Sequence, residues 1–368
     1  MLDALYAIVA VAMGYQVIAL IATLRQCFAR VPRASRLPGI SILKPVRGLD
    51  PGFYDAIRSH AIQDYPEFEI LFGVHDPADP AVSEIRRLID EFPGLAIGLI
   101  ESSTVAPNGK VGVLMDLAAH ARHPLWIVND SDITVPPGYL RDVVAPFQDP
   151  DIGLVTCLYR AESSSWAGRW EALGIATDFA PSALVAPLFG VSEFGLGSTL
   201  VFRREDLQRI GGFEALRDYL ADDYQLGAML HALGRKNVIS KVVVSTRLGG
   251  QAWSAVWAHQ VRWSRTIRLS KPWGYAGLPV TFACLWALVA ALSGLWSIAA
   301  VLLTVRLAVA ITAGWVVLGS RDTVLLAPLI PGRDLYAVAV WVAGLFGRTV
   351  HWRGLKLLLD RSGKIVGR

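Results

Sequence analysis

Short apolar runs alternate with amphipathic stretches through the middle of the chain. Runs at 40–43, 68–74, 95–100 and 125–128 have the length of buried strands. Between them, apolar side chains recur every three or four residues, as at Ile85, Leu88 and Phe92, which predicts helices that bury one stripe. After residue 150 the pattern is less regular, with strands predicted at 152–159 and 199–202 and helices at 166–179 and 219–233. Strands alternating with helices predict an α/β domain with a largely parallel sheet over residues 38–250.

Apolar stretches long enough to enter a membrane lie at both ends of the chain. Residues 2–24 contain one charge, Asp3, and at about 1.5 Å per residue they are long enough to span a bilayer core. Because no basic segment precedes this run and no small-residue cleavage site follows it, residues 1–25 are predicted to be an anchor rather than a signal peptide. Residues 278–347 are predicted to hold the C-terminal membrane segments. Within them, 278–305 is the strongest span, 307–318 is shorter, and 335–346 either crosses or lies at the interface.

The distribution of basic residues predicts the orientation. Four arginines follow the anchor between positions 25 and 36, and residues 348–368 form a basic tail. By the positive-inside rule both segments are cytosolic, together with the domain between them, which favours two C-terminal crossings and leaves three open. Residues 251–275 place Arg262, Arg265 and Arg268 on one helical face among tryptophans, which predicts an interfacial helix. We therefore expect a multi-pass membrane protein with a cytosolic catalytic domain, in a bacterial inner membrane.

Composition supports a membrane protein and argues against a nucleic-acid-binding one. Of the 368 residues, 53% are hydrophobic and only 18% are charged, which is unusual for a soluble protein. The net charge is +4, but many of the basic residues lie beside apolar stretches, as is typical of membrane flanks. The three cysteines are far apart and have no metal-ligand spacing, which fits a reducing compartment.

A pair of aspartates at the end of a predicted strand carries the strongest chemical signal. Asp130 and Asp132 follow the run 125–128 and are separated by one serine. In an extended chain, residues two apart point to the same side, about 6 to 7 Å from each other. Two carboxylates that leave coordination positions open for phosphate oxygens suit Mg²⁺ or Mn²⁺. The alternative is a turn at the end of the strand, where Asp is common.

Other polar residues follow neighbouring strands at the same edge of the predicted sheet. Arg47 comes after the first strand and Asp76 after the second. In doubly wound sheets, ligands bind beyond the carboxyl ends of the strands. The shared placement of Arg47, Asp76 and the aspartate pair therefore predicts a ligand site at this edge.

Taken as an ordered set, these motifs resemble those of the ceramide glucosyltransferase-like family, whose catalytic domain has the GT-A fold. The chain is also similar to the bacterial hopanoid-associated glycosyltransferases, a sister group. One departure is that the family's last motif usually has Gln or Arg three positions before its Arg-Trp pair, where this chain has His259 followed by Gln260. The matching motifs are Leu43-Lys44-Pro45-Val46-Arg47-Gly48, Asp50-Pro51, Asp76, Asn108-Gly109-Lys110-Val111, Asp130-Ser131-Asp132, Asp222-Asp223-Tyr224 and Arg262-Trp263.

The resemblance implies a role for each matching residue. Asp76 would bind the uracil or ribose of a UDP-sugar, and its alternative is a turn or helix cap. Asp223 would act as the general base, in preference to Asp222, although both also suit the first turn of a helix. Lys110 and Arg47 would contact the diphosphate, and Asp130 and Asp132 would bind the metal and the donor. Arg262 and Trp263 would line the acceptor entrance or support the leaving diphosphate. The roles of His259 and Gln260 are left open.

The implied activity is an inverting, metal-dependent transfer of a hexosyl unit from a UDP-sugar to a lipid hydroxyl. UDP-glucose and ceramide are the leading pair, and UDP-N-acetylglucosamine with a hopanoid polyol is the alternative. A processive polysaccharide synthase needs a transmembrane channel for the growing polymer. Two or three C-terminal membrane crossings are poorly suited to forming one. A catalytically inactive binding scaffold would have no need of Asp223.

Overall fold

Seven strands form the central sheet of the computed structural model, which describes residues 2–30, 34, 36–352 and 354–367. Met1 of the predicted anchor and residues 353 and 368 of the predicted tail lie outside the described residues. The first six strands lie where the apolar pattern predicts them, and the seventh is an addition. The strands are β1 (Ile40–Pro45), β2 (Phe68–Val74), β3 (Ala96–Glu101), β4 (Leu125–Val128), β5 (Ile152–Glu162), β6 (Leu200–Arg203) and β7 (Lys236–Arg247).

The sheet is mixed but mainly parallel. Its strand order is β3-β2-β1-β4-β6-β5-β7. The pairs β1/β2, β2/β3, β1/β4 and β5/β7 are parallel, whereas β6 runs antiparallel to β4 and β5. The predicted α/β fold with a largely parallel sheet is confirmed. The carboxyl ends of β1, β2 and β4 lie at one edge, where the predicted ligand site lies.

Apolar clusters cover both faces of the sheet, because neighbouring strand residues point in opposite directions. The helices that pack on the sheet include α2 (Phe53–Ala61), α3 (Ala81–Glu91), α4 (Gly109–His120), α5 (Tyr139–Val144), α8 (Arg204–Arg209) and α9 (Asp222–Ala232). Ile42 belongs to the cluster that packs under α2 and α3, and Leu43 belongs to the cluster under α4.

Three helices among the described residues are long and apolar enough to cross a membrane. The first is α1 (Leu2–Phe28), which covers the predicted anchor. The second, Trp166–Phe189, joins α6 (Trp166–Gly174) and α7 (Ala180–Val185) through one π-helical turn. The third, Trp296–Val317, begins with α13 (Trp296–Ile311). These helices support a membrane protein, and the second extends beyond the amphipathic stretch that the sequence predicts there.

The prediction of one continuous span over 278–305 is wrong. Helix α12 (Ala283–Leu292) ends at a turn before α13 begins, and Gly294 in this turn has a left-handed φ of 83°. Upstream, the segment Pro272–Thr281, which includes α11 (Pro272–Gly277), is bent by 48° from α12. An unbroken apolar sequence therefore forms a helical hairpin, and most of the predicted 307–318 segment continues α13.

A buried ion pair joins α13 to α15 (Ile330–Gly344), which follows the short α14 (Arg321–Leu325). Arg306, which the sequence suggests as a boundary between two spans, instead lies inside a helix and is buried. Its Nε and Nη2 donate to Asp334 at 2.8 and 2.6 Å. The two charges neutralise each other within the apolar layer.

The C-terminal basic segment forms a small antiparallel sheet that the sequence analysis does not predict. Its strands are β8 (Thr349–Trp352), β9 (Leu355–Leu359) and β10 (Ile365–Gly367). Buried Leu357 and Leu359 pack with Leu269 of α10 (Trp253–Ser270) and with Leu220. This sheet thus connects the predicted interfacial helix to the segment that leads into α9.

Candidate active site

The aspartate pair follows β4, and different neighbours hold its two carboxylates. Asp130 Oδ1 accepts a hydrogen bond from Lys110 Nζ at 2.8 Å. Asp132 Oδ2 accepts one from the Thr246 hydroxyl on β7. Burial and the neighbouring Asp130 charge raise the pKa of Asp132. Two carboxylates held this close create a negative site that a cation would stabilise.

Lys110 links the aspartate pair to α9. It lies in the first turn of α4, whose N-cap is Asn108, with Oδ1 of that side chain accepting from the Lys110 backbone N–H at 3.0 Å. Lys110 Nζ lies 2.8 Å from Asp130 and 3.4 Å from Asp222. Although burial opposes its charge, Asp130 and Asp222 hold the pKa of Lys110 above its ordinary value.

Asp223 faces the aspartate pair across Gly197. Its Oδ2 accepts from the Gly197 N–H at 2.9 Å, and the Gly197 carbonyl accepts from the Asp130 N–H at 3.3 Å. A Cβ at position 197 would lie 3.1 Å from Asp130 Oδ2 and 3.3 Å from Asp223 Oδ2, so a glycine keeps this gap open. Burial and the adjacent Asp222 carboxylate raise the pKa of Asp223 to about 6. A carboxylate with this pKa is basic enough to accept a proton near neutral pH.

A buried lysine lies close enough to the aspartate pair to interact with its charges, and the sequence does not predict a role for it. Lys44 at the end of β1 is fully buried, and its Nζ lies 3.5 Å from His60 Nε2. Burial lowers the pKa of Lys44 to about 7, against the opposing effect of Asp132 and Asp130. The sequence feature that could have drawn attention to Lys44 is the Lys-Pro pair in the first motif.

The loops after β1 and β2 carry Arg47 and Asp76, both exposed. Asp79 Oδ2 accepts from the Gly48 N–H at 2.7 Å and so ties the two loops together. Asp76 Oδ1 accepts from the Ala78 N–H at 2.8 Å, which is the turn that the sequence offers as an alternative to nucleotide binding. The structure thus places both residues at the predicted edge.

The first loop also reaches the aspartate pair. Asp50 Oδ2 accepts from the hydroxyl of Ser131, the residue between the two aspartates, at 2.8 Å. The Asp50 charge also contributes to the raised pKa of Asp132, after burial and Asp130. The Asp50-Pro51 motif therefore lies beside the aspartate pair.

His259 and Gln260 on α10 form hydrogen bonds with a side chain of helix α6. His259 Nδ1 donates to Glu171 Oε1 at 2.5 Å, and Gln260 Nε2 donates to the same oxygen at 3.1 Å. Trp263 packs against His259, with ring centroids 4.5 Å apart. Glu171 on α6 is fully buried and is not predicted from the sequence, where it is a single acid in an aromatic helix.

Burial raises the pKa of Tyr159 on β5, and the charges of Glu171, Asp130, Asp132 and Asp223 raise it further. The Tyr159 ring packs against Phe179, with ring centroids 5.7 Å apart.

Comparison with known proteins identifies the family. The sequence model of glycosyl transferase family 21 matches residues 4–365. The chain belongs to glycosyl transferase family 21.

Relatives of this family 21 protein include ceramide glucosyltransferases 1 and 3 of Caenorhabditis elegans. The first is 31% identical over 207 residues, which is 55% of this chain and 44% of the relative. The second is 29% identical over 215 residues, 57% of this chain and 46% of the relative. The chain thus spans less than half the length of these relatives. The resemblance to the ceramide glucosyltransferase-like family is confirmed.

The fold of this family 21 chain is also that of a solved enzyme. A mannosyltransferase from Pyrobaculum calidifontis, solved with GDP-mannose and Mn²⁺, superposes with a TM-score of 0.59 at 19% identity. The match covers 94% of this chain and 98% of that one. At this identity the similarity establishes the fold alone, and it confirms the predicted GT-A architecture.

The site of the family 21 chain offers a suitable but incomplete donor set for a divalent cation. Among the described residues, no group of three or more His, Cys, Asp or Glu side chains could hold a metal. Asp130 and Asp132 supply two hard oxygen donors, and the Asp130 side chain is 47% exposed. Mg²⁺ and Mn²⁺ readily complete such a set with water and substrate phosphate oxygens, so the residues fit the group.

Proposed function

We propose that the protein transfers a hexosyl unit from a UDP-sugar to a hydroxyl of a membrane lipid, with inversion at the anomeric carbon. The observation that carries the proposal is the placement of Asp223, with a pKa of about 6, across Gly197 from the aspartate pair. In this arrangement a single candidate base faces the pair of carboxylates that would hold the metal. We take UDP-glucose and ceramide as the leading substrates, since the two relatives compared above are named ceramide glucosyltransferases.

The donor would bind at the carboxyl ends of β1, β2 and β4. Asp130 and Asp132 would hold Mg²⁺ or Mn²⁺, which when bound stabilises the negative charge of the departing diphosphate. Lys110, already paired with Asp130 and Asp222, adds positive charge at the same place. Asp76 and Arg47 would contact the nucleoside and the diphosphate from their exposed loops.

Asp223 would remove the proton from the lipid hydroxyl as that oxygen attacks the anomeric carbon. The hydroxyl oxygen forms the new glycosidic bond, the bond to the diphosphate breaks, and the proton passes to the carboxylate. A single displacement of this kind requires one base and inverts the configuration. Its Oδ2 is oriented by the Gly197 N–H and its Oδ1 by the Tyr224 N–H, at 2.9 and 2.7 Å.

The acceptor would approach from the membrane side of the domain. Helix Trp166–Phe189 is apolar enough to lie in the membrane, and it contacts α10 through Glu171. Arg262 and Trp263 on α10 would line the acceptor entrance, with His259 and Gln260 beside them. The catalytic domain would face the cytosol, where nucleotide sugars are available.

The test uses protein purified in detergent, with radiolabelled UDP-glucose or UDP-N-acetylglucosamine and either ceramide or a hopanoid polyol. We expect label in one lipid, dependent on Mg²⁺ or Mn²⁺ and abolished by EDTA, and the labelled pair identifies both substrates. Label in neither lipid would refute the proposed acceptor class. A labelled polymer would indicate a processive synthase, and bound donor without any turnover would indicate a binding scaffold.

A further inference from the structure

A cluster between α6, α10 and α15 contains most of the unpaired polar atoms in the protein interior. Of the eight buried side-chain nitrogen and oxygen atoms without a hydrogen-bond partner in the described chain, five lie here. Buried polar atoms are nearly always paired, because an unpaired one loses its hydrogen bonds to water without replacing them. Their concentration at one place indicates a site that pairs with something else. The five atoms are Trp170 Nε1, Glu171 Oε2, Arg333 Nε, Arg333 Nη1 and Tyr336 OH.

Arg333 is the cation of this cluster. Its residue exposure is 3%, and its one side-chain hydrogen bond runs from Nη2 to Gln260 Oε1 at 3.2 Å. Within the described residues, no carboxylate oxygen comes within 4.0 Å of its nitrogens, the limit for an ion pair. Its Nε and Nη1 donors are therefore directed at no protein acceptor.

Two neighbours fix the position of the Arg333 guanidinium. It lies 5.1 Å from the centroid of the Tyr336 ring. It also lies against Gly174 of α6, where an added Cβ would approach Arg333 Nη2 to 2.0 Å. Glycine at position 174 therefore makes room for the guanidinium.

Glu171 is the anion of the cluster and is paired on one side only. Both His259 and Gln260 donate to Oε1, whereas Oε2 accepts nothing. A buried carboxylate oxygen without a donor is costly unless a ligand or water supplies one. One carboxylate oxygen and two guanidinium nitrogens thus remain unpaired in the same cluster.

Aromatic side chains line the cluster on two sides. Trp170 packs on Trp253 and Tyr336 at ring-centroid distances of 6.0 and 5.8 Å. On the other side, the ring of Trp263 lies 4.5 Å from His259 and 6.2 Å from Phe179.

The aromatic contacts continue from Phe179 to Tyr159 on β5, with ring centroids 5.7 Å apart. A continuous set of aromatic contacts therefore leads from His259 to strand β5.

We propose that this cluster, Trp170, Glu171, Arg333 and Tyr336, binds the neutral, polyhydroxylated head of the lipid acceptor. The inference rests on the proposed function and assigns residues outside the motifs to acceptor recognition. The hydroxyl groups of the head donate to Glu171 Oε2 and accept from Arg333, so that the head replaces the partners that both side chains lack. The apolar chains of the lipid remain in the membrane beside helix Trp166–Phe189.

Charge decides the class of ligand. An anionic head would meet the buried carboxylate of Glu171, and a cationic head would meet the buried guanidinium of Arg333. A hydroxyl group can both donate and accept, so it satisfies both residues without adding a charge. Two or more hydroxyl groups, or a hydroxyl with an amide, are needed to reach both sides of the cluster.

The experiment compares acceptors and variants. Equilibrium binding in the presence of UDP, and steady-state transfer from UDP-glucose and UDP-N-acetylglucosamine, are measured with diacylglycerol, ceramide and a hopanoid polyol in nanodiscs. The variants are Glu171→Gln and Arg333→Met, which remove a charge, and Gly174→Ala, which displaces the guanidinium without changing its chemistry. Asp322→Asn on α14 is the matched control, because it breaks the ion pair of Asp322 with Arg169 of α6 (2.9 Å), which lies outside the cluster.

In the wild type we expect tighter binding of ceramide or the polyol than of diacylglycerol, which has one hydroxyl. Each cluster variant should weaken that binding by about tenfold or more, since a hydrogen bond to a charged group contributes about 1.5–3 kcal/mol. The acceptor KM should rise while the donor KM remains within about twofold. The control should resemble the wild type.

Three results distinguish the site from the proposed reaction. If the wild type binds polyhydroxylated lipid but transfers no sugar to it, the reaction is wrong and the site stands. If transfer occurs and the cluster variants keep the wild-type order of acceptors, only ordered water fills the cluster and the inference is overturned. Binding that does not depend on the number of hydroxyl groups in the wild type would also overturn it.

Discussion

Replacing Asp223 with Asn tests the central step of the proposed reaction. The amide keeps the size of the side chain and can still accept from the Gly197 N–H, which lies 2.9 Å from Oδ2. It cannot take a proton from the acceptor, so we expect a loss of roughly 10²–10⁴-fold in kcat, the usual contribution of a general base. Donor binding should remain, because the aspartate pair and Lys110 are unchanged. The matched control is Asp222→Asn, which removes the neighbouring charge and leaves the base.

The pH dependence of the activity gives a second quantitative test of Asp223 as the base. The base acts only when ionised, so activity falls as pH decreases through the pKa of Asp223. With a pKa of about 6, activity at pH 5 would be about one tenth of the plateau, whereas a carboxyl group at its ordinary value of 3.8 would lose almost nothing there. A bound cation lowers this pKa, so the acid limb should lie at or below pH 6.

Asp222→Asn should shift the acid limb to lower pH, because the Asp222 charge follows burial as a cause of the raised pKa. The assay is kcat/KM for sugar transfer between pH 4.5 and 8 at saturating metal, with folding checked by thermal unfolding. An Asp223→Asn enzyme with wild-type kcat, or an acid limb that Asp222→Asn leaves in place, would refute the assignment of Asp223 as the base.

Three further predictions follow from other parts of the structure. EDTA should abolish transfer and Mn²⁺ should restore it, and unchanged turnover in EDTA would exclude a metal at the aspartate pair. Arg306→Met alone should destabilise the protein by about 3–5 kcal/mol, because it leaves Asp334 buried and unpaired, whereas Arg306→Met with Asp334→Leu should recover most of that loss in thermal unfolding. Removing residues 348–368 should lower kcat more than it weakens donor binding, because the Ile365 N–H donates to the Asp218 carbonyl at 2.7 Å and so holds the segment that precedes α9. An unchanged kcat in the shortened protein would contradict this.

Local pattern predicts six strands of the sheet and misses β7, at one of its two edges. Strands buried on both faces appear as apolar runs, and β1, β2 and β4 lie where such runs predict them. Strand β7 is the last strand of the sheet: it pairs with β5 and otherwise makes one isolated bridge, from Ser245 to Thr134. Its apolar run is interrupted by Lys241. Thr246, the partner of Asp132, was missed with that strand.

The membrane region shows what hydropathy cannot reveal. An apolar stretch has the same composition whether it forms one straight helix or two helices joined by a turn. Hydropathy therefore does not reveal the turn at Gly294 within the run 278–305. Arg306 resembles a boundary because its partner Asp334 is 28 residues away and contributes nothing to a local window. In the tail, by contrast, alternate leucines at 355, 357 and 359 carried a strand signal, which the basic residues obscured.

The candidate site could be predicted where one strand or one helix turn carries the chemistry, and not where distant segments meet. Asp130 and Asp132 share a strand end, and Asp223 begins a helix. Gly197, which separates them, is brought there by the pairing of β6 with β4, and no local pattern contains that information.

Two different elements of the fold hold the metal pair and the base. The sheet fixes Asp130 and Asp132 through β4 and Thr246. The segment before α9 is fixed from outside the sheet: the Leu220 N–H donates to the Gly363 carbonyl of the C-terminal segment at 3.2 Å. That segment also packs on α10, so the start of α9 is held by α10 as well as by the hydrogen bond from Gly197 to Asp223. Binding of a lipid between α6, α10 and α15 would therefore act on the same support that positions the base.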